Sequence, residues 1–358
     1  MKKPERIFVI GHKNPDTDSI CSAIAYADIK NRTTQNKKYI PKRAGQINEE
    51  TRYVLNRFGV QPPAYLGNIG TQVKDMDIRT SPQADKNMSL KNTWDLMQEN
   101  GIVSLPIRDK DGCLEGLVTI GDIAKTYMDT TDSYLLSNAR TQYQRIAETV
   151  GGEVVEGNGH GYFVKGRVLV GTANPKMLEG YVEEDDMIIM GDREEDHLQA
   201  ISQNVSCIIV GLNIVVSEKV IKLAHEKNIV IIRSPYDTFN IARLINQSIP
   251  VSFVMKRDNM VTFNTEDFTD DIQDVMIKNR HRAFPVINPH GKCIGTISRR
   301  NFLDMHKKKV VLVDHNEVDQ AVDNIEKAEI LEIIDHHKLG TLQTMTPVAF
   351  RNEPVGCT

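Results

Sequence analysis

Arg6-Ile7-Phe8-Val9-Ile10-Gly11, with His12-Lys13-Asn14-Pro15-Asp16-Thr17-Asp18-Ser19 directly behind it, decides the reading of this chain. The first six residues form a short apolar run of the kind a buried parallel strand gives, stopped by a glycine and followed by a polar cluster. Ser19 to Lys30 then reads as a helix, in which Asp18 or Ser19 is placed to cap the first turn. A strand-like piece near Tyr39 and Ile40 and a helix over Asn48 to Phe58 continue the alternation. That is the start of an open, doubly wound α/β sheet with crossover helices.

The pattern pauses and resumes much later. Val310 to Val313 runs into Asp314-His315-Asn316, and Ile330 to Ile334 runs into Asp335-His336-His337, again as apolar strands with polar tips. Two halves of one fold therefore bracket about 240 residues of something else. Inside the bracket, Ser104 to Ile107, Asp111-Gly112 and Gly116 to Ile123 match Ala283 to Ile287, His290-Gly291 and Gly295 to Phe302. Each copy reads as strand, tight turn, strand, helix, with a helix before it at Leu90 to Asn100 and at Asp270 to Asn279. Between the copies, Val205 to Gly211, Glu218 to Glu226, Ile229 to Arg233 and Thr238 to Asn246 alternate strand and helix.

Composition narrows the class. With 358 residues, 40% hydrophobic, 26% charged and a net charge of −4, the chain suits two or three ordinary globular domains and lacks the basic footprint of a nucleic-acid binder. Five scattered cysteines (Cys21, Cys113, Cys207, Cys293, Cys357) form no closely spaced pair, which fits reduced thiols. Met1 to Glu5 is charged, and no apolar stretch of about 20 residues occurs, so a cytoplasmic protein with no membrane partner is expected.

The chemistry sits at the strand tips, where open α/β sheets hold their ligands. His12, Asp16 and Asp18 lie within seven residues, and Asp314 and Asp335-His336-His337 end two further strands. A polar loop that only caps a helix accounts for the first motif alone. Three such tips converging on one sheet edge point instead to metal. Mixed imidazole and carboxylate ligands suit manganese, cobalt, iron or zinc better than calcium. Two such ions about 3.5–4 Å apart activate water and share the charge of an in-line phosphoryl transfer.

At this point the motifs resemble a known family. Gly11 to Ser19, Val313-Asp314-His315-Asn316-Glu317 and Asp335-His336-His337 are similar to the family II, manganese-type inorganic pyrophosphatases of the DHH superfamily. The resemblance implies hydrolysis of pyrophosphate to two phosphates with two manganese or cobalt ions, and magnesium accompanying the substrate. His12 and Asp16 would ligate one ion, Asp18 and His336 the other, and Asp314 would bridge them. His337 would be the catalytic residue against the substrate phosphate, with Asp335 orienting the neighbouring imidazole from behind. His315 is expected only to bond locally or to support the substrate.

The internal repeat resembles a pair of cystathionine-β-synthase (CBS) modules, and the stretch between them resembles a DRTGG domain, though that motif survives only as Gly191-Asp192-Arg193-Glu194-Glu195. The expected fold is thus a doubly wound parallel-sheet DHH domain interrupted by an α+β CBS pair, itself carrying an inserted α/β DRTGG-like domain. Its expected limits are 1–66 for the first part of the DHH domain, 67–130 for the first CBS module, 135–248 for the DRTGG-like domain, 249–308 for the second CBS module and 309–358 for the second part of the DHH domain. CBS modules of this type offer a hydroxyl and a carboxylate to a ribose. Thr119 with Asp122 and Ser298 with Asn301 fit that role, and Arg282 and Arg299 suit phosphate. Adenine nucleotides such as AMP and ADP, diadenosine polyphosphates and a homodimer follow as expected partners.

The family's C-terminal domain, with an Arg-Lys pair and a further lysine on the phosphates, would lie past Thr358. Residues 1–358 alone are therefore expected to be nearly inactive, for want of cationic stabilisation of the transition state. A DHH-type phosphodiesterase or exopolyphosphatase, and a nucleotide-sensing protein with a vestigial metal site, are the competing readings.

Overall fold

A computed structural model describes residues 4–128, 132–172, 180–303 and 305–358. The chain divides into two compact units, one comprising Met1–Ile78, Phe263–His281 and Ile297–Thr358, the other Arg79–Thr262 and Arg282–Thr296.

Strand β1 (Glu5–Ile10) buries Ile7, Val9 and Ile10 completely, because both faces of a parallel sheet are covered. Helix α1 (Thr17–Thr33) starts where Asp16 accepts the Ser19 N–H at 2.9 Å, so the cap is Asp16 and not Asp18 or Ser19. The helix turns Ile20, Ala23 and Ala27 inward at helical spacing. Strand β2 (Lys37–Arg43), helix α2 (Glu49–Arg57, capped by Asn48) and the short β3 (Ala64–Tyr65) follow.

In the second unit, α3 (Leu90–Glu99) precedes an antiparallel hairpin of β4 (Ser104–Arg108) and β5 (Leu114–Thr119), and α4 (Ile120–Met128) follows it. Next come α5 (Tyr143–Thr149), β6 (Glu153–Glu156), β7 (Val168–Val170), β8 (Met187–Met190), α6 (Glu194–Ser202), β9 (Cys207–Val210), α7 (Glu218–Glu226), β10 (Val230–Arg233) and α8 (Thr238–Leu244). The five strands lie in the order β6-β10-β9-β8-β7, parallel except for β6. Successive residues of β8 and β9 alternate between two apolar cores, one on each face of the sheet.

The second copy of the repeat supplies α9 (Thr269–Lys278), β11 (Phe284–Ile287) and β12 (Cys293–Ile297). Here the sequence expectation needs correcting: a helix follows β5, but only a 3-10 turn, Arg299–Phe302, follows β12. The first helix is anchored by buried Ile123, whereas its counterpart Phe302 is only half-buried and the following Leu303 is 85% exposed, and helices this short depend on burying an apolar face.

The first unit closes with β13 (Lys309–Val313), β14 (Glu329–Asp335) and β15 (Ala349–Asn352). Its six strands run in the order β15-β14-β13-β1-β2-β3, all parallel, with Ile7 opposite Lys309 and Ile10 opposite Leu312. The chain winds one way from β1 to β3 and the other way from β13 to β15. The C-terminal tips of β1 and β13 therefore flank the switch point, where such sheets form a crevice.

Candidate metal centre

Each ligand-type side chain stands just past one of the three adjacent strands β1, β13 and β14. The loop after β1 is pinned tightly: the His12 N–H donates to Ser19 Oγ at 3.1 Å, and a Cβ at Gly11 would fall 1.9 Å from that oxygen, so only glycine fits. Asp314 takes a left-handed backbone, φ 60°, uncommon outside glycine. Its side chain is 1% exposed.

Asp314 is the hub. His12 Nε2 lies 3.3 Å from Asp314 Oδ2, and His336 Nε2 lies 3.2 Å from Oδ1. Around it form two groups with ligand atoms mutually within 4.8 Å, His12–Asp16–Asp314 and Asp314–His336–His337. Asp18 approaches His336 Nε2 at 3.5 Å, but its carboxylate also accepts from Ser22, Cys357 and the Thr358 N–H. His337 Nδ1 is 3.7 Å from Asp314, so the second group contains His337, where the motifs alone put Asp18.

The hydrogen bonds fix the tautomers in a telling way. His336 Nδ1 donates to the Val355 carbonyl at 2.9 Å, so in a neutral ring the Nε2 lone pair faces the carboxylates of Asp314 and Asp18. Only a proton or a cation reconciles that geometry. The imidazole's pKa is accordingly raised, first by the Val355 carbonyl and then by the charges of Asp314 and Asp18. His12 is raised too, chiefly by the Asp314 carboxylate beside it. Asp314 Oδ2 is buried without a hydrogen-bond partner among the described residues. An orphaned buried carboxylate oxygen between imidazole nitrogens is the donor set a transition metal takes.

Support comes from behind. Asp335, 3% exposed, accepts from His337 Nδ1 at 2.8 Å and from the His336 and His337 N–H groups. Burial alone would raise its pKa, but these donors and the Asn316 amide hold it below the usual carboxylate range. The imidazole it orients is that of His337. Nothing in the motif spacing points to Asn316, yet its amide donates to Asp335 and to the Lys338 carbonyl, and its oxygen accepts from Gly340, tying the β13 and β14 loops together. Its one signal was a buried amide following Asp314 and His315. His315 donates from Nδ1 to the Val313 carbonyl at 2.9 Å and leaves Nε2 buried without a partner. Burial drives its pKa down to about 4, so the ring stays neutral.

The nucleotide residues named above behave differently. The Thr119 N–H and hydroxyl both donate to Asp122 Oδ2, at 2.9 and 2.6 Å, while the Asp122 N–H donates back to Thr119 Oγ1. In the first unit, the Ser298 N–H and hydroxyl donate to Asn301 Oδ1 at 2.7 and 2.9 Å. Both corners are capping boxes, complete in themselves. The Arg299 guanidinium donates to the carbonyls of Met276, Asn279 and His281 at the end of α9, and Arg282 is exposed.

Among the described residues no helix is long and apolar enough to cross a membrane.

Comparison with known proteins adds what geometry cannot. The CBS domain signature matches residues 73–129 and 251–308, and the DRTGG domain signature matches 145–248. The chain is 40% identical over 352 residues to a cobalt-dependent inorganic pyrophosphatase of Clostridium perfringens, and 37% identical over 358 residues to a probable manganese-dependent inorganic pyrophosphatase of Thermotoga maritima. These alignments take in 98% and 100% of the chain but 64% and 65% of those proteins, so the chain spans just under two thirds of their length. A solved structure, the CBS and DRTGG domains of the regulatory region of Clostridium perfringens pyrophosphatase complexed with the activator diadenosine tetraphosphate, matches with a TM-score of 0.61 and 32% identity, covering 64% of this chain and all of that one.

Proposed function

We propose that the chain is one of the manganese- or cobalt-dependent inorganic pyrophosphatases that carry CBS and DRTGG domains, and that it hydrolyses pyrophosphate to two phosphates at the Asp314 centre, under the control of adenine nucleotides. The observation that carries this reading is Asp314 itself, one buried carboxylate shared by two ligand groups with an oxygen left unpartnered.

In this reading residues 1–66 and 309–358 are parts of a DHH domain, and the stretches 67–130, 135–248 and 249–308 are its regulatory insert. His12 and Asp16 would hold one manganese or cobalt ion, Asp18 and His336 the other, with Asp314 available to both. Bound metal supplies Lewis-acid polarisation of the attacking water and of a phosphoryl oxygen. The chain's own residues do the rest. Asp335 fixes the His337 ring through Nδ1 and leaves Nε2 to exchange a proton at a phosphate oxygen. Asn316 keeps Asp335 in place and so keeps both histidines aimed. His315, neutral and buried, keeps Nε2 free to accept a hydrogen bond without adding charge.

Thr119 with Asp122 and Ser298 with Asn301 open their reciprocal bonds to a ribose, while Arg282 meets a phosphate. Arg299 reaches one only by releasing its three carbonyls. A nucleotide that favours one state of the protein shifts catalysis by its difference in affinity between the states. The protein works as a cytoplasmic homodimer associated through its CBS modules.

The test is phosphate release from magnesium pyrophosphate by the full protein, loaded with manganese or cobalt, with and without AMP, ADP and diadenosine tetraphosphate. Turnover that vanishes with a chelator and responds to nucleotide is expected. Intact pyrophosphate alongside cleavage of short oligonucleotides or polyphosphate would overturn the reading in favour of a different DHH hydrolase.

A further inference from the structure

We propose that the second unit carries a binding site for inorganic phosphate or diphosphate, in a cavity of about 240 Å3 lined by Asn87, Arg140, Gln142, Arg145, Tyr162 and Ser252. It goes beyond the nucleotide reading and uses none of the corners assigned to the ribose.

The lining is the first argument. Two guanidinium groups and four other polar side chains face one space, with Ala139 and Pro250 as the only apolar walls and no carboxylate among them. In a chain whose 48 acidic residues outnumber its 44 basic ones, that is a local reversal of charge. Arg145 is half-buried, and among the described residues neither its guanidinium nor that of Arg140 has a hydrogen-bond or ion-pair partner. Other arginines of this unit are engaged, among them Arg167 with Asp186, Arg193 with Asp196, Arg233 with Glu153 and Arg108 with backbone carbonyls, though Arg282 is exposed. Guanidinium forks match tetrahedral oxyanions, and two of them with neutral donors neutralise a small dianion.

The second argument is rigidity. One wall is tied by Ser89 paired with Pro250, by the Val251 N–H on the Met88 carbonyl at 2.8 Å and by the Ser252 N–H on the Lys86 carbonyl at 3.0 Å. The other is tied by the pairing of Gln142 with Tyr162 and by the Tyr143 N–H on the Gly161 carbonyl at 3.1 Å. Donors held in advance lose little freedom on binding.

Size selects the ligand. Ligand pockets in general run from about 300 Å3 upward, so this one, at about 240 Å3, suits a small inorganic anion. Its walls come from the segment before the first CBS stretch's helix α3, the segment leading into the DRTGG stretch and the start of the second CBS stretch. An anion there joins all three, and phosphate is the product of the proposed reaction.

Calorimetric titration of the full, chelated protein with inorganic phosphate, and separately with diphosphate, tests this. Saturable binding is expected, weakened about tenfold or more for each arginine lost in Arg140→Gln and Arg145→Gln, with AMP affinity unchanged. Asn87→Asp, at an exposed position that leaves folding alone, sets a carboxylate in the cavity and weakens binding by about tenfold. Absence of phosphate binding to the parent, or equal affinity in parent and variants, overturns the proposal. Loss of AMP binding in Thr119→Ala with phosphate binding retained supports this site as separate from the ribose corner. An absence of AMP binding in the parent, with arginine-dependent phosphate binding intact, strikes only the nucleotide reading.

Discussion

Helix α1 contributes to two polar clusters beside strand β14, and they are built on opposite terms. Towards the end of the helix, Tyr26 and Lys30 both donate to Glu332, Lys30 at 2.8 Å, and the ammonium also lies 5.3 and 5.8 Å from the rings of Tyr26 and Tyr39. Every group there answers another. Burial and the Glu332 bond push the Tyr26 hydroxyl up to about 12, while Glu332 is held below its ordinary value because Lys30 and Tyr26 outweigh burial. At the start of the helix, the ring nitrogens of His12 and His336 face the carboxylates of Asp314 and Asp18, and Asp314 Oδ2 has no hydrogen-bond partner among the described residues. The first cluster is finished by the chain. The second leaves a buried carboxylate oxygen that no donor among the described residues satisfies, which is where the proposed metal would belong.

Substitutions can break that contrast. Asp314→Asn should have the largest effect, lowering manganese affinity beyond the roughly 10–100-fold that loss of an outer supporting partner costs, as read by metal content after chelation and reloading. The melting temperature of the metal-free protein should hardly move; a collapse would mean that this cluster, too, is self-sufficient. Asn316→Ala comes next, with metal affinity down about 10–100-fold through the loosened Asp335. An unchanged affinity would reduce Asn316 to loop packing.

Smallest is Glu332→Gln, expected to leave metal binding alone and to reduce stability by about 1 kcal/mol at neutral pH. The sign of its pH dependence follows from the shift. A carboxyl whose folded pKa is depressed stabilises the protein above its ordinary value of 4.5, and that stabilisation is lost as pH falls through the lower folded value. The parent should therefore lose stability below about pH 4.5 more steeply than Glu332→Gln in acid denaturation. Parallel acid limbs would count against the cluster.

What could be read in the sequence divides along a similar line. Strand tips rich in His and Asp were legible, because apolar runs and ligand chemistry are local properties of His12 to Asp18, Asp314 and Asp335 to His337. Asn316 was not, since its value lies in reaching Asp335 and Gly340 across a different loop. The cap of α1 was misplaced by two or three residues for a smaller reason: Asp16, Asp18 and Ser19 all have capping side chains, and only the backbone path selects Asp16. The second repeat promised a helix by likeness to the first, but Phe302, the counterpart of the buried Ile123, is only half-buried.

The parallel sheet that carries the centre has a history written into its strand order. Strand β1 lies between β2, which follows it almost at once, and β13, which the ribosome delivers only after the roughly 240 residues between Tyr65 and Lys309. At about 5–20 residues per second, that edge of β1 waits for tens of seconds, unpaired and flanked by apolar side chains. An open edge is a template for the wrong partner. The intervening residues contain two apolar cores of their own, so they can fold during the interval, and the crevice between the tips of β1 and β13 takes shape only after they have been made.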